Sequence, residues 1–87
     1  MKSLVLPSFW EANRSLEPSL RPRVRKAYEL WLSNPFHPSL RFKCVNRQEN
    51  IWAVRVTHGY RAVGVVDGDV ITWFWVGKHD EYEQFFG

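Results

Sequence analysis

Metal-free cleavage of RNA needs few kinds of side chain. The 2′-hydroxyl must lose a proton, the leaving 5′-oxygen must gain one, and the phosphorane between them carries extra negative charge. Histidine exchanges protons near neutral pH, and tyrosine can position or exchange one. Arginine presents a rigid, permanently charged fork to phosphate oxygens. In this chain Arg55 and Arg61 bracket a tight turn in the stretch R-V-T-H-G-Y-R, and His79 and Tyr82 follow the last apolar run. Each also has a bland reading. His79 is then a solvated tail residue, Arg61 an edge arginine paired to an acid, and Tyr82 with Phe85 and Phe86 a staple that closes a sheet.

Other chemistries find little support. There is no phosphate-binding Walker loop and no dinucleotide fingerprint, and His37, His58 and His79 lack metal-ligand spacing. The single cysteine, Cys44, excludes an internal disulfide and a thiolate zinc site. It reads as a small core residue rather than a nucleophile. Neither a cofactor nor a metal is expected. The net charge is only +3, but five basic residues (Arg41, Lys43, Arg47, Arg55, Arg61) face one acid, Glu49, between His37 and Arg61. A second basic run, R-P-R-V-R-K, covers 21–26, and Asp80, Glu81 and Glu83 gather near the C-terminus. Such a map points to an anionic partner, nucleic acid first, against the plainer reading of a solvated surface. The N-terminus does not read as a signal peptide, and no apolar run is long enough to span a membrane. A cytoplasmic location is expected, with no membrane contact.

The elements that must position these residues follow from periodicity. At 87 residues with 45% apolar content, one domain over 1–87 with one modest core is expected. S-L-V-L at 3–6 suggests a short strand. A short helix opens at Pro7-Ser8, with Ser8 as N-cap and Glu11 completing a capping box. Leu20, Val24, Ala27, Tyr28, Trp31 and Leu32 mark one face of a second helix, which Ser33-Asn34-Pro35 ends. The two helices are expected to form an antiparallel hairpin. Leu40, Phe42 and Cys44 then alternate with Arg41, Lys43 and Val45, a strand pattern with one basic face. Residues 50–57 and 60–67 pair around His58-Gly59. Asp67-Gly68 is a hairpin turn leading into V-I-T-W-F-W-V, expected at the centre of the sheet. A tail of one or two helical turns follows Gly77. The fold class is therefore α+β: an N-terminal helical hairpin packed on a small, mainly antiparallel sheet of three to four strands, with a short C-terminal tail.

With the elements in this order, the chain resembles the RelE/ParE superfamily of toxins from bacterial toxin–antitoxin modules, over nearly its whole length. The cues are S-L-R-F-K at 39–43, W-A-V-R-V at 52–56, H-G-Y-R-A-V-G at 58–64 and W-V-G-K-H-D-E-Y at 75–82. The resemblance implies a RelE-like toxin that cuts mRNA in the ribosomal A site without a metal and is silenced by a cognate antitoxin protein. It assigns Arg61 to the scissile phosphate, His79, next to Lys78, to the acid or phosphate-ligand role, and Tyr82 to catalytic support. Arg41, Lys43 and Arg55, with Lys78, are implied to hold ribosomal RNA or mRNA. Some RelE members carry two lysines on the strand before the Y-R element, where this chain has apolar residues or Arg55 alone, and Tyr82 is followed by Glu83. The ParE branch shares the fold but poisons DNA gyrase, so a gyrase inhibitor is the alternative. A third is an inactive RNA-binding module of the same fold.

One geometric question stays open in the sequence. A two-residue turn at His58-Gly59 pairs Val56 with Arg61 and sends Arg55 and Arg61 to opposite faces. A bulge or a three-residue loop brings them together.

Overall fold

The computed structural model describes residues 1–86. Its order is β1 (Lys2–Val5), α1 (Pro7–Arg14), α2 (Arg21–Ser33), β2 (Lys43–Asn46), β3 (Ile51–Thr57), β4 (Tyr60–Asp67), β5 (Val70–Lys78) and α3 (His79–Phe85). Single 3-10 turns at Pro18–Leu20 and Pro38–Leu40 precede α2 and β2. The α+β class is as expected, but the sheet differs in detail. It has five strands in the order β1-β5-β4-β3-β2, and β1 runs parallel to β5 while the other pairs are antiparallel. The short strand expected at 3–6 is present as β1, but a pattern of four residues carries no sign of its parallel pairing with β5. β4, not the aromatic β5, lies at the centre of the sheet.

Local chemistry explains the ends of the helices. Pro7 occupies the first turn of α1, with Leu6 as N-cap, where a missing N–H costs nothing. Ser8 is therefore not the cap. Its hydroxyl donates instead to Phe74 O at 2.7 Å and ties α1 to β5. The expected hairpin is also corrected. α1 lies along β5 and α2 on β3, with little contact between the two helices. A cleft of about 240 Å³ separates them. Leu32, placed on the apolar face by periodicity, is 54% exposed.

The sheet carries a core on each face. On one face Phe9 of α1 and Val24 and Trp31 of α2 pack with Leu40, Phe42, Val54, Ala62, Ile71 and Trp73. On the opposite face, α3 lays Tyr82 over Ala53 and Val63, with Trp75 and Phe86 beside them. A bulge makes this division possible. Val63 pairs with Trp75 and Gly64 with Trp73, so Phe74 is the extra residue. Trp73 therefore joins the α1–α2 face, while Phe74 and Trp75 both join the α3 face. Gly64 is required here, since a Cβ would sit 2.9 Å from Ile71 Cγ1 and 3.0 Å from Thr72 O. Cys44 is half-buried in β2. No helix among the described residues is long and apolar enough to cross a membrane.

Candidate functional site

The β3–β4 turn decides which side chains meet. Thr57 pairs with Tyr60 and Arg55 with Arg61, and Val56 is bulged out between them. The two arginines are thus direct cross-strand neighbours on one face. That face is the one covered by α3, because Ala53 and Val63, two residues along from Arg55 and Arg61, carry Tyr82. Lys43 pairs with Ala53 and so points the same way. Arg41 lies outside the strand expected for it. It ends the 3-10 turn in the left-handed region at φ 47°, a conformation that costs a non-glycine residue about 1–3 kcal/mol. Its charge reaches Arg61 nevertheless.

Arg61 folds back over the turn. Its Nη1 donates to the carbonyls of Thr57 (2.9 Å), Tyr60 (3.1 Å) and His58 (3.2 Å). These contacts use one terminal nitrogen and anchor the guanidinium over the turn. Burial, then Arg55, then Arg41 push its pKa down, while Tyr82 and Glu83 pull the other way. An arginine stays charged under such pressure, so the three guanidinia form a concentrated positive field. Like charges set opposite each other across a sheet are destabilising, and a phosphate would relieve that repulsion.

α3 brings the tail residues to the same end. The His79 N–H donates to Gly59 O at 2.8 Å, which continues the β4–β5 ladder past Tyr60 and Lys78. His79 Nε2 lies 3.2 Å from Glu83 Oε1, one helical turn on, and its ring centroid is 5.6 Å from that of Tyr82. Tyr82 is only 6% exposed. With Phe86 it is the staple foreseen as the bland alternative, whereas Phe85 is 68% exposed and takes no part. Burial, then Glu83, raises the Tyr82 pKa, and Arg61 opposes them.

That shift has a testable consequence. The folded pKa lies above the usual value near 10, so the protein gains stability from a neutral Tyr82 at lower pH. This gain is lost as pH rises through the folded pKa. Tyr82→Phe should therefore show a shallower loss of melting temperature above pH 10 than the wild type, with no difference near pH 7 in the slope.

Lys78 does not join the arginines. It pairs with Tyr60, one step from the Arg61–Gly77 pair, and so points to the opposite face. Glu83 is the member of the cluster that sequence reading left without a role. Its signal was the i,i+4 spacing from His79 within a tail helix. Among the described residues, no group of three or more His, Cys, Asp or Glu side chains is arranged to hold a metal ion.

Comparison with known proteins bears on the family and the fold. The family model described as a ParE-like toxin domain matches residues 18–84. The chain belongs to the ParE-like toxin domain family. This places it in the RelE/ParE superfamily of toxins. The ParE-like domain also superposes on solved toxins. The RelB–RelE antitoxin–toxin complex from Methanococcus jannaschii matches with a TM-score of 0.72 at 21% identity, covering 97% of this chain and 99% of that one. The YoeB/ParE toxin from Agrobacterium tumefaciens gives a TM-score of 0.67 at 16% identity, with 91% and 99% covered. YafQ from E. coli strain BL21(DE3) gives 0.72 at 7% identity, with 92% and 94% covered. At these identities the likeness concerns the fold. Among curated proteins, none matches this chain.

Proposed function

We propose that this toxin is a metal-independent endoribonuclease that cuts mRNA on the ribosome and is held silent by a cognate antitoxin. The observation that carries the reading is the bulge that sets Arg55 against Arg61, within electrostatic reach of Arg41 and beside the His79–Glu83 pair. Two arginines side by side cost stability, Glu83 offsets only part of their charge, and charge stored in this way suits an anion that arrives later. In this reading Arg61, with Arg55 and Arg41, bears the phosphorane charge. The 2′-hydroxyl proton passes to solvent water as the oxygen attacks, and His79 delivers a proton to the leaving 5′-oxygen, with Glu83 holding the ring. Tyr82, buried and neutral, supports the cluster from beneath. Lys43 lies on the face that RNA approaches, and Lys78 guides the strand on the other side of β5. The antitoxin reading is supported by the solved relative that is itself a RelB–RelE antitoxin–toxin complex, and the cytoplasm is where ribosomes are met.

The test compares wild type, Arg61→Ala and His79→Ala expressed from a tight promoter, with mRNA ends mapped in a translation extract. Wild type should arrest growth and cut mRNA. His79→Ala should slow cutting by about 10²–10⁴-fold, the usual share of a general acid. Equal arrest by all three would remove the catalytic assignment. The matching family carries the ParE name, which favours gyrase as the second reading. Inhibited supercoiling by purified protein, with mRNA left intact, would establish it.

A further inference from the structure

The edge of β5 is covered for only part of its length. β1 pairs with Val70–Trp73 and stops there. Beyond it α1 runs alongside, and a polar groove of about 420 Å³ opens between the C-terminal end of α1 and the strand edge. Tyr60, Trp75 and Lys78 line this groove together with Glu17 and Glu81.

The groove adjoins the arginine cluster through the backbone. Tyr60 precedes Arg61, and Gly77, also in the groove wall, is the cross-strand partner of Arg61. The Trp75 indole occupies the space that a side chain at 77 would take. A Cβ there would lie 2.4 Å from Trp75 Cζ2 and 2.7 Å from Cη2. The half-buried ring is braced from behind by Phe86, at 5.7 Å between centroids. The ring thus lies over Gly77, whose backbone is one strand spacing, roughly 4.8 Å, from that of Arg61.

We propose that this groove is a nucleobase subsite, taking the base next to the phosphate held by Arg61 and disfavouring uracil. The proposal rests on the endoribonuclease reading above. Aromatic faces hold bases of single-stranded RNA by stacking, and a neighbouring cation follows the backbone. Trp75, Tyr60 and Lys78 supply these parts. The carboxylates of Glu17 and Glu81 accept hydrogen bonds, and adenine, guanine and cytosine each present an exocyclic amine to them. Uracil presents no amine, and its N3–H is flanked by two carbonyl oxygens that repel a carboxylate. Lys78, stranded on the far face from Arg61, gains a role as the cation at the groove's rim.

Two readouts test the subsite. The first needs no activity: the Trp75 indole resonance is followed by NMR while AMP, GMP, CMP and UMP are titrated in turn. The three amino-bearing nucleotides should shift it at concentrations roughly 10-fold below UMP, Gly77→Ala should weaken binding by roughly 10- to 100-fold, and Trp75→Leu should do the same when binding is read from the Gly77 amide resonance instead. The second maps cut sites for wild type, Arg61→Ala and Glu81→Gln. Wild type should avoid uridine at one position flanking the cut, and Glu81→Gln should relax that avoidance, an effect that loss of packing alone would not produce. Unchanged preference in Glu81→Gln and no discrimination among nucleotides would overturn the subsite, even where Arg61→Ala abolishes cutting and so upholds the nuclease. Selective nucleotide binding by a wild type that cuts no RNA would keep the subsite and remove the nuclease.

Discussion

Replacing Arg55 with alanine should make the protein more stable and less active. Arg55 and Arg61 face each other directly across β3 and β4, and like charges in that position cost about 0.2–1 kcal/mol. Removing one relieves the repulsion. In a domain of this size about 1 kcal/mol moves the melting temperature by roughly 4–8 °C, so a rise of a few degrees is expected for Arg55→Ala. Arg61→Ala relieves the same repulsion but also strips three carbonyls of their donor. These carbonyls belong to a turn at the surface, where water replaces much of what is lost, so its melting temperature should fall slightly or stay level. Activity should separate the two in the opposite order. Loss of the guanidinium that meets developing charge costs about 10²–10³-fold in rate, and Arg61→Ala should show that loss while Arg55→Ala shows a smaller one. Arg61→Lys should restore little, since a point charge cannot both hold the turn carbonyls and present a second nitrogen to phosphate. A fall in stability for Arg55→Ala would show that the pair is structural. Thermal melts at low and high salt read the same quantity, because screening should shrink the gain.

Much of this arrangement was legible in the sequence, and the parts that were not have definite physical causes. Helical periodicity placed α2 because Val24 and Trp31 are buried at that spacing. The turn at Asp67-Gly68 was legible because Gly68 takes φ +62°, which few other residues accept. The pairing of Arg55 with Arg61 was left open because it turns on one bulged residue, Val56, and nothing about a valine announces a bulge. Lys78 adjoins His79 in sequence, yet it follows Gly77, the partner of Arg61, on β5 and so points away from Arg61, while His79 opens α3. Arg41 was read into a strand by alternation with Leu40 and Phe42. Those two residues are indeed buried, but from a 3-10 turn and the short link after it, where burial alternates without any ladder. The helical hairpin was inferred from two neighbouring amphipathic helices, and amphipathicity alone does not say whether a helix buries its stripe against a helix or a sheet.

The larger core lies on the face away from Arg55 and Arg61, and Trp31 offers the strongest test of how far that core and the proposed site are independent. It is 1% exposed and stacks on Tyr28 while meeting Phe42 and Trp73 edge-on. Trp31→Ala should cost about 3–5 kcal/mol, against a total of about 5–15 kcal/mol for a typical domain, so much of the variant should unfold near 37 °C. Trp31→Phe should behave quite differently. The Trp31 Nε1 atom is buried with no hydrogen-bond partner among the described residues, and an unmet buried donor costs about 1–3 kcal/mol. Phenylalanine removes that donor along with part of the ring volume, and the two effects oppose each other. Chemical denaturation should place Trp31→Phe within about 1–2 kcal/mol of wild type. A loss as large as that of alanine would show that the indole N–H finds a partner in solution. Trp31 touches none of Arg55, Arg61, His79 or Glu83, which lie across the sheet. At a temperature where both proteins are folded, Trp31→Phe should therefore cut RNA at the wild-type rate, even as Arg55→Ala, the more stable protein, cuts more slowly.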